Sequence, residues 1–305
     1  MKTEHSKCQC KAWLHQSVTE KVRRMSITII KKTVFLSILV SSIFSYLPSS
    51  FANETSLQQL AESAIRSDAS RQRNQYRHPA ETLSFFGLTP QMSVLEIWPA
   101  HGWYTEILAP YLKKDGKLTL AHFPHNDGSL KDERSVFWAK VSQRLQQRIA
   151  DNSDFFGVPN NIELAAPSFI PSQEAQYDMV LTFRNAHIWD EDGYLFATLQ
   201  SIFQALKPGG VLGMVEHRAA RLSDISSSAV EGYLDEAYVI HVAENAGFEL
   251  VASSEINANP ADKKNYPKGV YALPPTLAMG QLNKDEYLAI GESDRMTLKF
   301  VKPAE

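Results

Sequence analysis

VLEIWPAHGWYTEILAPYL, residues Val94–Leu112, changes periodicity halfway along. The run Met92–Trp98 (MSVLEIW) is continuously apolar apart from Ser93 and Glu96, the pattern of a buried strand. A tight turn through Pro99 and Gly102 follows. Beyond it, Trp103, Ile107 and Tyr111 fall on one helical stripe, with Tyr104, Leu108 and Leu112 beside it. An acid, a tight turn and a helix start in this order let backbone N–H groups approach a nucleotide-like ligand. Outward from this unit, strand and helix patterns alternate. KLTLAHF (117–123), NIELAA (161–166), YDMVLTF (177–183) and GVLGMVEH (210–217) read as strands. Phe137, Val141, Leu145 and Ile149 form an i, i+4 helical series, and Leu195, Leu199, Ile202, Phe203 and Leu206 form another that stops at KPGG. A helix over 230–246 precedes two final strands, FELVASSEI (248–256) and RMTLKFV (295–301). This order predicts an α/β fold with a doubly wound, mostly parallel seven-stranded sheet and an antiparallel edge.

Ahead of the sheet, Leu57, Leu60, Ala61, Ala64 and Ile65 predict a helix within residues 55–76, and a second short helix is expected to stop at Gly87. The Pro-rich stretch 257–293 reads as a long loop over one end of the sheet. The first 52 of the 305 residues carry a net charge of +6 and the remainder −9. The basic segment runs into VFLSILVSSIFSYL (34–47), then PSSFA, with Ser50 and Ala52 placed for a small-residue cleavage site. Residues 1–52 are therefore expected to be a leader and signal peptide, cleaved after Ala52, with Met25 an alternative start. An uncleaved anchor is the other reading of the same stretch. Residues 53–90 are expected to be an N-terminal helical extension and 91–305 the α/β domain. Both cysteines, Cys8 and Cys10, lie in the leader, so the mature chain has no disulfide and no thiolate metal site. A periplasmic location fits such a chain, with membrane contact only through the signal segment. The acidic balance argues against nucleic acid as a partner.

His101, His122, His187 and His217 all fall at the ends of predicted strands, which a doubly wound sheet gathers at one edge. Imidazole there serves as a general base or as a metal ligand; a backbone-bonded loop histidine is the plainer alternative for each. His187 and His217 are the candidate catalytic residues, and no metal ligand set is assigned. Arg184 and Asn185 are candidates to hold an anionic or carbonyl group of a substrate. Trp98, Trp103 and Tyr104 are candidate walls of an aromatic pocket, with Tyr104 on the substrate side, though the helical spacing of Trp103 favours a core position. Glu216 beside His217 is not expected to pair with it, because neighbours on a strand face opposite ways. Asp190, Glu191 and Asp192 are expected to cap the following helix, and Asp294 and Arg295 to form an ion pair.

The segments Val94–Leu112, Tyr177–His187, LKPGGVLGMVEH (206–217), AGFELV (246–251) and SDRMTLKFVKP (293–303) together resemble the class I S-adenosylmethionine-dependent methyltransferases, and in particular exported bacterial ones with a Trp-Pro in the first loop. The resemblance implies a Rossmann-like methyltransferase fold, S-adenosylmethionine as cofactor and a small-molecule acceptor. It also implies that Glu96 and the backbone of Trp98, Ala100, His101 and Gly102 face the methionine and ribose part. The chain departs from the pattern in three places. Ala100 and His101 stand where glycine is usual, His122 stands where the second strand usually ends in an acid, and Ala165–Ser168 carries no acid. Two further readings stay open: a periplasmic binding protein without catalysis on this scaffold, and a histidine-based metal site.

Overall fold

The computed structural model describes residues 56–164, 175–220, 229 and 231–304. The expected leader, its cleavage point, both cysteines and the stretch 165–168 lie outside the described residues. The sheet has seven strands: β1 (Ser93–Ile97), β2 (Lys117–His122), β3 (Asn160–Glu163), β4 (Tyr177–Phe183), β5 (Leu206–His217), β6 (Glu249–Ser254) and β7 (Arg295–Val301). Their order is β3-β2-β1-β4-β5-β7-β6. Strands β1 to β5 are parallel, and β7 runs antiparallel to both β5 and β6. The order reverses at β1, whose Ile97 is in register with Ala121 of β2 on one side and Thr182 of β4 on the other. Such a reversal leaves a crevice beyond the carboxyl ends of the two strands that flank it.

Helices cover both faces. On one lie α8 (Ala186–Glu191), α9 (Leu195–Ala205) and α10 (Glu236–Asn245); on the other lie α1 (Leu57–Ala61), α4 (Pro79–Phe86), α5 (Thr105–Leu112) and α6 (Glu133–Asp151). β1 serves both cores because alternate side chains leave a strand on opposite sides. Leu95 and Ile97 join Leu199 and Ile202, while Val94 joins Ile107, Leu108 and Leu145. Phe86 of α4 lies so close to β5 that a Cβ on Gly213 would meet its ring at 2.7 Å. Of the i, i+4 series on α6, Val141, Leu145 and Ile149 are buried and Phe137 is exposed.

The N-terminal helix is shorter than its periodicity predicts. A capping box of Ser56 and Gln59 starts α1, which ends at Ala61; α2 (Asp68–Gln72) and α3 (Asn74–Arg77) follow as separate turns. Ala64 and Ile65 are exposed. The interior position goes instead to Arg66, fully buried, which donates to Glu106, to the Ala61 carbonyl and to Asn74. A buried guanidinium must have such partners, and the break in the helix delivers it to them. Gly87 does end α4, at φ 85°. Helix α10 starts later than expected, where Asp235 accepts from the Tyr238 N–H as N-cap. Strand β5 starts earlier, because KPGG bulges within the β4–β5 pairing instead of ending before it. The region 257–293 contains a 3₁₀ turn (Gly269–Ala272) and α11 (Lys284–Ile290), and Tyr266, Leu273 and Tyr287 form a small core of its own. Among the described residues no helix is long and apolar enough to cross a membrane.

Candidate functional site

A cavity of about 480 Å³ opens at the reversal in strand order, within the size range of small-molecule sites. The loop after β1, the segment after β4, the end of β5 and the 3₁₀ region all contribute to its wall. In the loop after β1, alternate residues take the left-handed conformation: Trp98 at φ 44°, Ala100 at φ 51° and Gly102 at φ 77°. For Trp98 and Ala100 this costs on the order of 1–3 kcal/mol each, so the surroundings must hold them there. The Trp98 indole is held firmly. Its Nε1 donates to the Leu164 carbonyl at 3.2 Å, its ring stacks on Phe123 at 4.4 Å, and Phe123 stacks on Trp138 at 4.9 Å. These three rings make one side of the cavity aromatic.

Beneath the loop, the Glu96 carboxyl accepts a 2.7 Å hydrogen bond from the Thr105 hydroxyl and lines the cavity. Burial pushes its pKa up to about 8, against the lowering effect of that bond. It is therefore mostly protonated at neutral pH and can donate as well as accept. Ala100 also lines the cavity. The other expected cofactor residues lie elsewhere. His101 occupies the position between two left-handed residues, not one of them; its ring lies near Trp138 outside the cavity wall, and its carbonyl receives Arg148. Gly102 does not line the cavity, and an added Cβ there would strike Leu145 of α6 at 2.4 Å, so helix packing requires the glycine. His122 is buried away from the cavity. Its Nε2 lies 2.7 Å from Asn161 Oδ1, and burial keeps its pKa below the usual histidine value.

The opposite side of the cavity is charged. His187, in the first turn of α8, places Nδ1 2.9 Å from Glu216 Oε1, and its backbone N–H donates to Oε2. With a carboxylate as partner, Nδ1 carries the proton, which leaves Nε2 as the basic atom. Nε2 has no hydrogen-bond partner among the described residues. The sequence pointed to Glu216 and rejected His217 as its ring partner, and the rings do not pair through it. From His217, Glu216 accepts the backbone N–H and nothing from the ring, while His217 Nδ1 lies 2.6 Å from Ser293 Oγ. What the sequence missed is the Glu216–His187 contact. Strands β4 and β5 are adjacent, with Phe183 in register with Val215, so residues just past β4 meet Glu216. The strand order was the signal needed. Burial, and then the charges of His187, Arg184, Arg295 and Arg77, hold His217 well below the usual histidine pKa.

Arg184 lines this side at φ 63°. Asn185 also reaches the wall, but its Nδ2 donates to the Ile97 carbonyl and to Thr182, tying β4 to β1. Tyr104 stacks on Phe183 at 3.6 Å and donates to the Arg77 carbonyl. Arg77 and Glu292, which no motif in the sequence marked, also line the cavity. Two expected pairings are replaced. Asp294 binds Arg218 and Lys264 while Arg295 binds Glu292, because neighbours on a strand diverge. Asp190 and Asp192 accept from Tyr238 and Tyr194, and no side chain caps α9.

His187, Glu216 and His217 present ligand atoms within 4.8 Å of one another, the spacing of a metal site. The electrostatics oppose a cation there. Arg77, Arg184 and Arg295 all act on His217 as positive charges, and Glu216 already receives three N–H groups. The arrangement suits a neutral base beside an anion.

No protein-family model and no curated protein matches the sequence. Solved structures do. The chain is similar to the [4+2]-cyclase SpnF, at 16% identity over 79% of this chain and 85% of that one, with a TM-score of 0.51. A SAM dependent methyltransferase from Aquifex aeolicus is 15% identical over 81% of this chain and 98% of that one, with a TM-score of 0.48. At this identity the likeness to SpnF shows a shared fold, the Rossmann-like seven-stranded sheet described above. It does not carry an activity, since fold and function part company at this distance.

Proposed function

We propose that the protein is an S-adenosylmethionine-dependent methyltransferase acting on a small-molecule acceptor. The observation that carries this reading is the shared cavity. The end of β1 with Glu96 and the loop after it with Trp98 and Ala100 form one wall, and His187, oriented by Glu216 behind it, faces them from the other. The residues present fit the cofactor in two respects. The left-handed backbone at Trp98 and Ala100 shapes a cradle at the end of β1, and the stack of Trp98, Phe123 and Trp138 forms an apolar wall against which an adenine can pack. The protonated carboxyl of Glu96 supplies a neutral donor beside that cradle. No acid from β2 reaches the cavity, so recognition of ribose falls to backbone groups and Glu96.

Bound S-adenosylmethionine would supply the electrophilic methyl group. This chain's residues do the rest. The two walls hold the acceptor near the loop, where proximity and alignment provide most of the acceleration. His187 Nε2 takes the proton of an acceptor hydroxyl or amine, and Glu216 stabilises the resulting imidazolium through Nδ1. His217, kept neutral, adds no competing positive charge next to it. The same proposal places the mature chain, residues 53–305, in the periplasm on the strength of its basic, apolar leader, and gives it no nucleic-acid partner.

Calorimetric titration with S-adenosylhomocysteine tests the reading. Saturable binding is expected, unchanged in His187→Ala, while that variant lowers methyl transfer by about 10²- to 10⁴-fold. An absence of heat at millimolar ligand would instead favour a non-catalytic binding protein, a reading supported by the Trp98 indole packed across the ends of β1 and β2.

A further inference from the structure

One carboxylate beside the cavity is heavily oversubscribed. Glu292 accepts from Arg73 Nε at 2.6 Å through Oε1, and from Arg77 Nε at 2.8 Å and Arg295 Nη2 at 2.6 Å through Oε2. Arg184 is a fourth guanidinium in the same field. Arg73, Arg295, Glu292 and Glu216 all act on it, yet it makes no side-chain hydrogen bond or ion pair among the described residues. Three arginines therefore share one carboxylate, a fourth lies beside them without an ion pair among the described residues, and His217 is held neutral next to them. Arg77 is 1% exposed, and its Nη2 has no hydrogen-bond partner. Its face rests on the Trp103 ring at 4.8 Å, and Tyr104 donates to its carbonyl, so it is fixed in place. Burying guanidinium donors without partners is costly, and positive charge in excess at a cavity wall is discharged most directly by an anion.

We propose that this end of the cavity is an anion subsite, in which Arg184 and Arg77 receive a carboxylate or phosphate group of the acceptor. The subsite adjoins the His187 base, so the acceptor class is a small organic acid or phosphate ester carrying a hydroxyl or amine. That assignment to the acceptor rests on the methyl-transfer reading; the binding of an anion does not. Arg184 suits the role chemically. A guanidinium offers a planar pair of donors that matches a carboxylate or phosphate, and with no partner among the described residues its donors face a ligand unengaged.

Titration of the protein with inorganic phosphate and with malonate, at constant ionic strength held with chloride, tests the subsite. Saturable binding and a rise in Tm are expected in the wild type. Arg184→Met should weaken both anions at least ten-fold and unfold no earlier than the wild type, since it removes a buried charge that makes no ion pair among the described residues. Equal Tm shifts in the wild type and Arg184→Met, or no saturable binding in either, would overturn the subsite. A second titration with S-adenosylhomocysteine already bound assigns the anion. Persisting phosphate binding supports the acceptor, whereas mutual exclusion gives the subsite to the carboxylate of the cofactor and overturns the acceptor class. If S-adenosylhomocysteine does not bind while phosphate binds through Arg184, the anion subsite stands and the methyltransferase reading fails.

Discussion

The two sides of the cavity are built on different principles. The aromatic side comes largely from short stretches of chain that meet across neighbouring strands: Trp98 after β1, Phe123 after β2 and Trp138 on α6, stacked face to face. Its stability is that of ordinary packing, spread over ring faces and shared with the core. The charged side gathers Arg77 from α3, Arg184 after β4, His217 at the end of β5 and Glu292 before β7. Its stability depends on a few short ion pairs concentrated on one carboxylate. A wall of stacked rings tolerates change by degrees; a wall of shared charges fails when its central member is lost. The tolerant wall suits a flat ring, and the charged wall suits chemistry and an anionic group.

This contrast is breakable by experiment, and the largest effect is expected at its hub. Glu292→Gln leaves Arg73, Arg77 and Arg295 facing one another without their carboxylate, and removing one partner of a buried ion pair costs about 3–5 kcal/mol. Chemical denaturation should show a loss of that size, and a loss below about 1 kcal/mol would mean that the arginines are not held by Glu292. The second test concerns the base of the aromatic side. Glu96 keeps its proton in the folded chain up to about pH 8, against 4.5 as the ordinary value. Its folded pKa is raised, so its contribution is fully present below pH 4.5 and is lost as the pH rises towards 8. Glu96→Gln, which stays neutral, should therefore gain stability on the wild type by roughly 1 kcal/mol per pH unit across that window. Parallel pH profiles of Tm for the two proteins would show instead that Glu96 is ionised in the folded state. The smallest effect belongs to the rings. Trp138→Ala should cost S-adenosylhomocysteine affinity by about 0.5–1.5 kcal/mol, the worth of one aromatic pair. It should also leave phosphate binding at Arg184 unchanged; loss of both together would mean that the two sides act as one.

Much of this was legible in the chain. The strand runs at 92–98, 117–123 and 177–183 announced themselves by continuous apolarity, and the helix of α6 by its i, i+4 series. The tight turn after β1 was placed correctly, but glycine was expected at both Ala100 and His101, and of these only Ala100 takes the left-handed conformation. His187 was legible as a histidine just past a strand end. Its partner was not, because Glu216 lies 29 residues away and only the adjacency of β4 and β5 brings the two together. Arg77 and Glu292 were silent for a related reason. A buried arginine looks like a surface one in sequence, and its burial is decided by partners from distant segments, 215 residues apart in this case.

By itself the sequence determined the doubly wound sheet, the strand ends at which chemistry would sit, and the acidic, cysteine-free character of the chain after Ala52. These follow from periodicity and composition, which are local. The tertiary structure alone decided which strand-end groups share a cavity: it brought His187 onto Glu216, set Arg77 and Arg184 on one wall, and turned Gly102 and His122 away. The physical reason is that burial and pairing of charge are pairwise properties, fixed by strand order and register and absent from any single stretch of residues.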